Sequence, residues 1–353
     1  MYYRILVVGD GHSNIHEVAV VKALKAMGHD VYSFYWCDYF KSNSTWLKYL
    51  YRLQYKYLIG PIFNRVNNEI ISLVLNLKPQ LVFVYRGTHV KYKTIIDIKK
   101  AYPKVNIFGY NNDDPFSKKQ PNYLWRHFIR AIPAYNKIFS YREININEYL
   151  QHGASSVELL RSWFVPETNI YDQLCDNKEK KYLYDLIYIG HFEADGRFEC
   201  LEDIVKSGYN LKIYGPPYEW NKLIIKSKYL SKLYPINLIW GDDYNNALRS
   251  SKIALCFLSK LNRDSYTRRC FEIPAVGTML LSEYSEDLVG LFSSGIDADF
   301  FSSKDELLYK ISYYLKNDNE RNAISISGNA RVINDGHDIY SRMSQVLRHI
   351  KIS

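Results

Sequence analysis

The segment Arg4–Asp10 (RILVVGD) most restricts the folds open to this chain. An apolar run that ends in glycine and passes into a polar turn reads as a buried parallel strand. An amphipathic helix follows to about Met27 and is closed by Gly28, and a second strand runs from Asp30 to Tyr35. Strand, glycine turn, helix and strand open a doubly wound α/β unit, which binds ligands beyond the carboxyl ends of its strands. The same order recurs at Asp185–Ile189 (DLIYI), with Gly190, a polar loop and a helix from about Arg197. A chain of 353 residues has room for two domains of about 150–180 residues. The expected organisation is therefore a Rossmann-like unit over 1–165, an irregular linker over 166–180, a second unit over 181–336, and a last helix, 337–353, crossing back.

Several strands are expected to deliver polar residues at their carboxyl ends. Gln80–Tyr85 ends in Arg86-Gly87-Thr88-His89, and Asn106–Tyr110 ends in Asn111-Asn112-Asp113-Asp114-Pro115-Phe116. The first turn carries His12, His16 and Glu17 where such a sheet opens its crevice. Each of these residues also has an undemanding reading as a helix cap, a turn carboxylate or a solvated side chain. In the second half, strands are expected at Asn210–Tyr214 and Leu238–Trp240. Tyr214, Trp220 and Tyr244 are aromatics that could stack on a base.

The stretch from Asn262 to Ala275 (NRDSYTRRCFEIPA) lies between an apolar run, Ile253–Leu258, and a strand expected over Thr278–Leu281. Asp264 and Glu272 stand eight residues apart, with Arg268, Arg269 and a helix start between them. Carboxylates accept hydrogen bonds from sugar or ribose hydroxyls, and arginines with exposed helix N–H groups hold phosphate. The plainer alternative is an Arg–Glu surface helix with a loop salt bridge.

Composition removes other classes. Hydrophobic content of 47% against 24% charged residues gives a globular chain with a real core. The longest apolar run, Ile70–Leu77, is too short to span a bilayer, and Met1 leads straight into a strand rather than a signal peptide. Five scattered cysteines without a Cys-x-x-Cys pair read as reduced thiols, not as disulfides or a zinc site. A cytoplasmic protein is expected. The net charge of +9 is uneven, +11 over residues 1–165 and −2 over the rest. A basic half can serve nucleic acid, an anionic membrane or an anionic substrate, but no nucleic-acid module is found and no nucleic-acid partner is expected. Ser44–Leu58 puts Lys48, Arg52 and Lys56 on one helix face and Trp46, Leu50, Leu53 and Tyr57 on another. That pattern suits contact with anionic lipid at an inner leaflet, or plain packing on the sheet. Asp297-Ala298-Asp299 spells a metal-binding Asp-x-Asp but lacks a preceding apolar strand.

The Asn262–Ala275 stretch resembles the sugar-nucleotide motif of GT-B glycosyltransferases of the CgeB-like (spore maturation protein) group. Those enzymes carry Asn-Arg-Asp, then Arg-x-Phe-Glu-Ile-Pro-Ala, a small residue and a Leu-rich strand. The opening Gly9-Asp10-x-His12-Ser13 with His16-Glu17, and the string Asn112-Asp113-Asp114-Pro115-Phe116, resemble the same group. The stretch is also similar to the Glu-x7-Glu motif of retaining GT-B enzymes, with Asp264 standing for the first glutamate.

The resemblance implies a GT-B architecture, two Rossmann-like domains facing across a cleft. It implies transfer of a sugar from a UDP-, GDP- or dTDP-linked donor to a glycan or lipid-linked acceptor, with no metal and no cofactor. Surface polysaccharide, such as lipopolysaccharide O-antigen, is the expected product. The donor set it implies is Gly190, Arg197, Asn262, Arg263, Asp264, Arg268, Arg269 and Glu272. Arg197, Arg268 or Arg269 would steady the diphosphate, Glu272 the ribose and Asp264 the donor sugar. His12, His16, Arg86, His89 and Asn112 would line the acceptor crevice. Retention needs no protein base, whereas inversion would call on His16, Glu17, Asp113 or Asp114. The alternatives are a sugar-nucleotide epimerase of GT-B-like fold and a non-catalytic spore or surface-coat protein.

Overall fold

The computed structural model describes residues 1–11, 13–169 and 182–351, and the chain divides into two α/β units. The first is Met1–Ser162 with the segment from Ile339 onward, and the second is Trp163–Asp338. Residues 170–180 of the expected linker lie outside the described residues. Pro166–Asn169, the part that is described, is a helical turn. It is held in the second unit by Asn169 Nδ2 donating to Asn245 Oδ1 at 3.0 Å.

The first unit has six parallel strands: β1 (Arg4–Gly9), β2 (Asp30–Tyr35), β3 (Leu81–Tyr85), β4 (Asn106–Asn111), β5 (Lys137–Ser140) and β6 (Val157–Leu159). They lie in the order β2-β1-β3-β4-β5-β6, so the chain reverses direction across the sheet between β1 and β3. Every residue of β3 (LVFVY) and β4 is buried, as expected of strands covered on both faces. The edge strand β2 mixes buried and exposed positions instead. The Glu17–Ala26 helix buries Ala19, Val20, Val21, Ala23 and Leu24. Trp36, Val66, Ile70, Val82, Trp125, Phe128 and Tyr135 meet in the core, each side chain contributing about 1.5–3 kcal/mol by leaving water.

The second unit has five parallel strands: β7 (Tyr184–Ile189), β8 (Leu211–Tyr214), β9 (Ser251–Cys256), β10 (Met279–Glu283) and β11 (Asp299–Phe301). Their order is β11-β10-β9-β7-β8, with the reversal between β7 and β9. Its core gathers Leu186, Tyr188, Leu201, Trp220, Ile253, Met279 and Leu281. The expected strand over Leu238–Trp240 does not form. Leu238 and Trp240 are exposed there, and Gly215 N to Asn237 O is the backbone bond that ties the segment to the end of β8.

The Ile339–Leu347 helix belongs to the first unit. Glu158 on β6 accepts from Lys137 Nζ (2.9 Å), Gln345 Nε2 (2.9 Å) and His349 Nε2 (2.7 Å). Burial alone would raise the Glu158 carboxyl, but these donors win and hold it at about 2.

Candidate functional site

The β7/β9 reversal is where a doubly wound sheet opens a crevice, and two loops meet there. One follows β7, from Gly190 to Gly196, and the other follows β9, from Phe257 to Arg268. Glu193 Oε2 accepts from the backbone N–H of Lys260 (2.9 Å) and Leu261 (3.1 Å), joining them. Glu283, at the end of β10, accepts from Leu258 N at 2.9 Å and pairs with Lys260 Nζ at 2.5 Å. Arg263 sits at φ +49, a conformation that costs a non-glycine residue about 1–3 kcal/mol. Asp264 N donates to Ser259 O at 2.8 Å, and Asn262 N to Ser259 Oγ at 3.1 Å. A side chain at Gly190 would run into the Tyr188 hydroxyl, so the close approach there requires glycine.

Glu272 lies on the Arg269–Ala275 helix and is 4% exposed. Its Oε2 accepts from Tyr244 OH at 2.9 Å, and Oε1 lies 2.8 Å from Arg268 Nε. The Arg268 contact is bent, an ion pair rather than an aligned hydrogen bond, and Arg268 Nη1 is also buried without a hydrogen-bond acceptor. Two carboxylate oxygens offer about four lone-pair sites, so Glu272 retains capacity for a hydroxyl. Arg269 differs from its neighbour. Among the described residues no hydrogen bond or ion pair holds its guanidinium. Burial works against its charge, but the acidic groups around it, Glu272 among them, outweigh that and raise its pKa. Tyr244 is pushed up, first by burial and then by Glu272. It therefore stays a neutral donor.

Arg197 corrects an expectation. It is 3% exposed, and all five of its N–H groups are directed at protein acceptors. Nε and Nη2 grip Asp195 at 2.8 and 2.6 Å, Nη1 donates to Tyr188 OH and His191 O, and Nη2 reaches Leu258 O. It braces the two loops and has no donor left for a diphosphate. Trp220 is likewise removed from base stacking, because it is fully buried and donates to Gly190 O at 2.9 Å. Asp297 and Asp299 are occupied too, Asp297 by Ser327 Oγ and Ser293 N, and Asp299 by Ser294 Oγ, Lys310 Nζ and Tyr314 OH. Among the described residues no cluster of three or more His, Cys, Asp and Glu is placed to hold a metal ion.

The β1/β3 reversal in the first unit gathers a different set. Arg86, at φ +68, lies 3.4 Å from Asp10 Oδ2 through Nη1 and 3.0 Å from Asp113 Oδ2 through Nε. Glu17 is 1% exposed and accepts from Gly11 N. A Cβ on Gly9 would come within 2.7 Å of Glu17 Cγ, so only glycine lets this carboxyl approach β1. Burial and then the Asp10 charge raise the Glu17 carboxyl to about 7. His16 Nδ1 lies 3.1 Å from Tyr85 OH. Asn112 Oδ1 is buried without a hydrogen-bond partner, while its backbone oxygen accepts from Arg142 Nη2 at 3.0 Å. His12 lies outside the described residues.

Two expectations fail in this unit. Asp114 is fully buried and accepts from Phe116 N and Asn145 Nδ2, both at 3.0 Å, so it caps a turn and is not a base. His89 is 2% exposed, stacked on Trp36 and enclosed by Phe40, Tyr55 and Phe63. Burial lowers its pKa to about 3, which makes it a neutral core histidine. Asp10 stood in the Gly9-Asp10-x-His12-Ser13 string without being singled out, and Tyr85 and the Glu272 partnership of Tyr244 had no signal of their own, since two tyrosines among 33 do not stand out.

Residues 197–348 match a family model described as glycosyl transferase-like. No curated protein matches the chain. Among solved structures, sucrose-phosphate synthase from Thermosynechococcus elongatus superimposes with a TM-score of 0.68 at 11% identity, covering 98% of each chain. HepE of Anabaena, solved with UDP and glucose, gives 0.66 at 9% identity over 98% of each chain. A putative UDP-N-acetylglucosamine 2-epimerase from Listeria monocytogenes gives 0.57 at 15% identity, covering 99% of this chain and 95% of the other. The fold is the GT-B architecture of two Rossmann-like domains, and the family match falls mostly on the second unit.

Proposed function

We propose that this protein is a glycosyltransferase that takes a nucleoside diphosphate sugar in its second unit and passes the sugar to a glycan or lipid-linked acceptor held by its first. The observation that carries the reading is the cationic Arg269 beside Glu272, whose carboxylate is steadied by Tyr244 and Arg268. Arg269 meets the diphosphate and stabilises the charge that develops on the leaving group, a task that otherwise falls to a metal. Glu272 accepts from the ribose hydroxyls, and Asp264, on the same connection, accepts from the donor sugar. Asn262 and Arg263 shape that loop.

The acceptor enters the first unit by its hydroxyl end. Asp10, Glu17 and Asp113 outnumber Arg86 at that crevice, a setting that favours neutral polyols over phosphate. A retaining transfer that needs no protein base is the preferred course, on the similarity of the Asp264/Glu272 pair to the Glu-x7-Glu motif; inversion would fall to His16 or Glu17, since Asp113 is paired and Asp114 buried. Assembly of surface polysaccharide, including lipopolysaccharide O-antigen, and kinship with the CgeB-like group rest on the Arg-x-Phe-Glu-Ile-Pro-Ala motif. No helix among the described residues is long and apolar enough to cross a membrane. The Thr45–Tyr57 helix exposes Trp46 and Tyr49 beside Lys48 and Arg52. A cytoplasmic enzyme that touches anionic lipid at the inner leaflet through this helix fits the pattern.

Calorimetric titration with UDP, GDP, dTDP and CMP, with and without EDTA and repeated on Glu272→Ala, tests the donor assignment. Selective binding that ignores EDTA and is lost in the variant is expected. Failure of all four nucleotides to bind would sink it. The likeness to the epimerase structure keeps a second reading alive. Release of a C2 epimer from UDP-N-acetylglucosamine without any acceptor, read by NMR, would select that reading.

A further inference from the structure

Cys256 and Cys270 are buried side by side under the proposed donor site, at 1% and 0% exposure, with their sulfurs 3.8 Å apart. Cys256 is the last residue of β9, and Cys270 lies in the first turn of the helix that carries Arg269 and Glu272. Thr267 Oγ1 lies 3.4 Å from Cys256 Sγ and 3.9 Å from Cys270 Sγ. Neither thiol has a part in the proposed transfer.

We propose that Cys256 and Cys270 form a reversible redox modification site whose oxidation by a peroxide weakens binding of the nucleoside diphosphate. This coupling rests on the donor assignment made above. The sulfurs are at van der Waals contact, and closing them to the disulfide length of about 2.0 Å draws the first turn of the helix toward β9. Arg268, Arg269 and Glu272 ride on that turn or at its edge, so the phosphate and ribose contacts shift together. The surroundings set the roles of the two sulfurs. The Cys270 thiol, the Arg269 charge and the Thr267 hydroxyl favour the Cys256 thiolate, while burial pushes the Cys270 thiol up. Cys256, the sulfur nearer the Thr267 hydroxyl, is assigned as the attacking one.

Its thiolate attacks one peroxide oxygen, the O–O bond breaks, and the departing hydroxide takes a proton to become water. Cys270 then attacks the sulfur of the resulting sulfenic acid. The S–S bond forms, the S–O bond breaks, and the proton lost by Cys270 leaves with the hydroxide as a second water. Two thiols and one hydrogen peroxide thus give one disulfide and two waters. A thiol reductant reverses the change. Bound nucleotide slows the first step, because its phosphates neutralise the Arg269 charge that favours the thiolate.

The test treats reduced full-length protein with hydrogen peroxide and maps its peptides without reduction. The expected product is one cross-linked pair containing Cys256 and Cys270, two hydrogens lighter than its parts and released by dithiothreitol. UDP affinity should fall about tenfold or more, which is 1.4 kcal/mol, and return on reduction. Cys270→Ala, with Cys270→Val as a second packing choice, should give no cross-link and keep its UDP affinity after peroxide. Absence of the cross-linked pair in the wild type overturns the site. A complete cross-link with unchanged UDP affinity overturns the coupling, as does an equal loss of affinity in the peroxide-treated Cys270 variants. If the reduced protein binds no nucleotide at all, the donor assignment and the coupling fail together, and the modification site is judged on the peptide masses alone.

Discussion

Two crevices of the same topology pair their charges differently. Each lies where its sheet reverses, β1/β3 in the first unit and β7/β9 in the second. In the first, Arg86 is shared by Asp10 and Asp113, and Glu17 stands behind them with a raised pKa. Carboxylates are in surplus there. In the second, Asp195 and Glu272 consume Arg197 and Arg268, and Arg269 remains as the spare cation. The half with the basic sequence has carboxylates in surplus at its crevice, while the mildly acidic half leaves Arg269 at its own without an ion-pair partner among the described residues. Net charge of a segment therefore says little about its site, because surface lysines dominate the sum while a few paired groups decide the local field.

The sharpest way to break this comparison is to treat the arginines of the second unit as interchangeable. Arg197→Ala should destabilise that unit by about 3–5 kcal/mol, since it strands Asp195 and opens both loops. Thermal unfolding would show a large drop in Tm, and an unchanged Tm would end the bracing role. Arg269→Ala should leave Tm nearly intact while weakening UDP binding by about 1.5–3 kcal/mol, the range for a charged hydrogen bond. Calorimetry at matched salt separates the two. Arg269→Lys should recover part of the affinity, because charge survives and the planar fork does not.

The first crevice should respond in the other currency. Asp113→Asn, or Arg86→Ala, is expected to leave UDP affinity alone and to lower kcat/KM for the acceptor about tenfold, roughly 1.4 kcal/mol of transition-state binding. A matching loss of UDP affinity would show that the division of labour is wrong.

The smallest effect is in pH dependence, and it sets two carboxyls of one unit against each other. Glu17 has a folded pKa raised to about 7, so between its unfolded value and pH 7 the folded state holds the extra proton. Its contribution to stability falls as pH rises through that window, at up to about 1.4 kcal/mol per unit. Glu17→Gln should flatten this slope. Glu158, lowered to about 2, acts in the opposite sense. Its clasp on the C-terminal helix is fully present above the unfolded carboxyl range and is lost as pH falls toward 2. Denaturant midpoints measured from pH 3 to 8 would resolve both. A Glu17→Gln profile parallel to wild type would remove the raised carboxyl from the account.

The sequence by itself determined the two parallel sheets, the turns at their openings and the motif that holds Glu272. These follow from periodicity, from glycine at close approaches and from short-range spacing. Only the tertiary structure decided which charges are left over. Arg86 meets Asp10 across 76 positions and Tyr244 meets Glu272 across 28, and neither pairing leaves a local pattern. His89 reads as a crevice residue after β3, but it turns into an aromatic box built from Trp36, Phe40, Tyr55 and Phe63. Arg197 and Arg269 are the same residue type beside similar loops, and Asp195 and the Leu258 carbonyl claim the first while no described side chain claims the second. Desolvation makes an unpaired buried charge costly, and Arg197 escapes that cost by spending every donor on protein acceptors. Arg269, which no described residue holds by a hydrogen bond or ion pair at the sheet's reversal, is the one to test as a ligand contact.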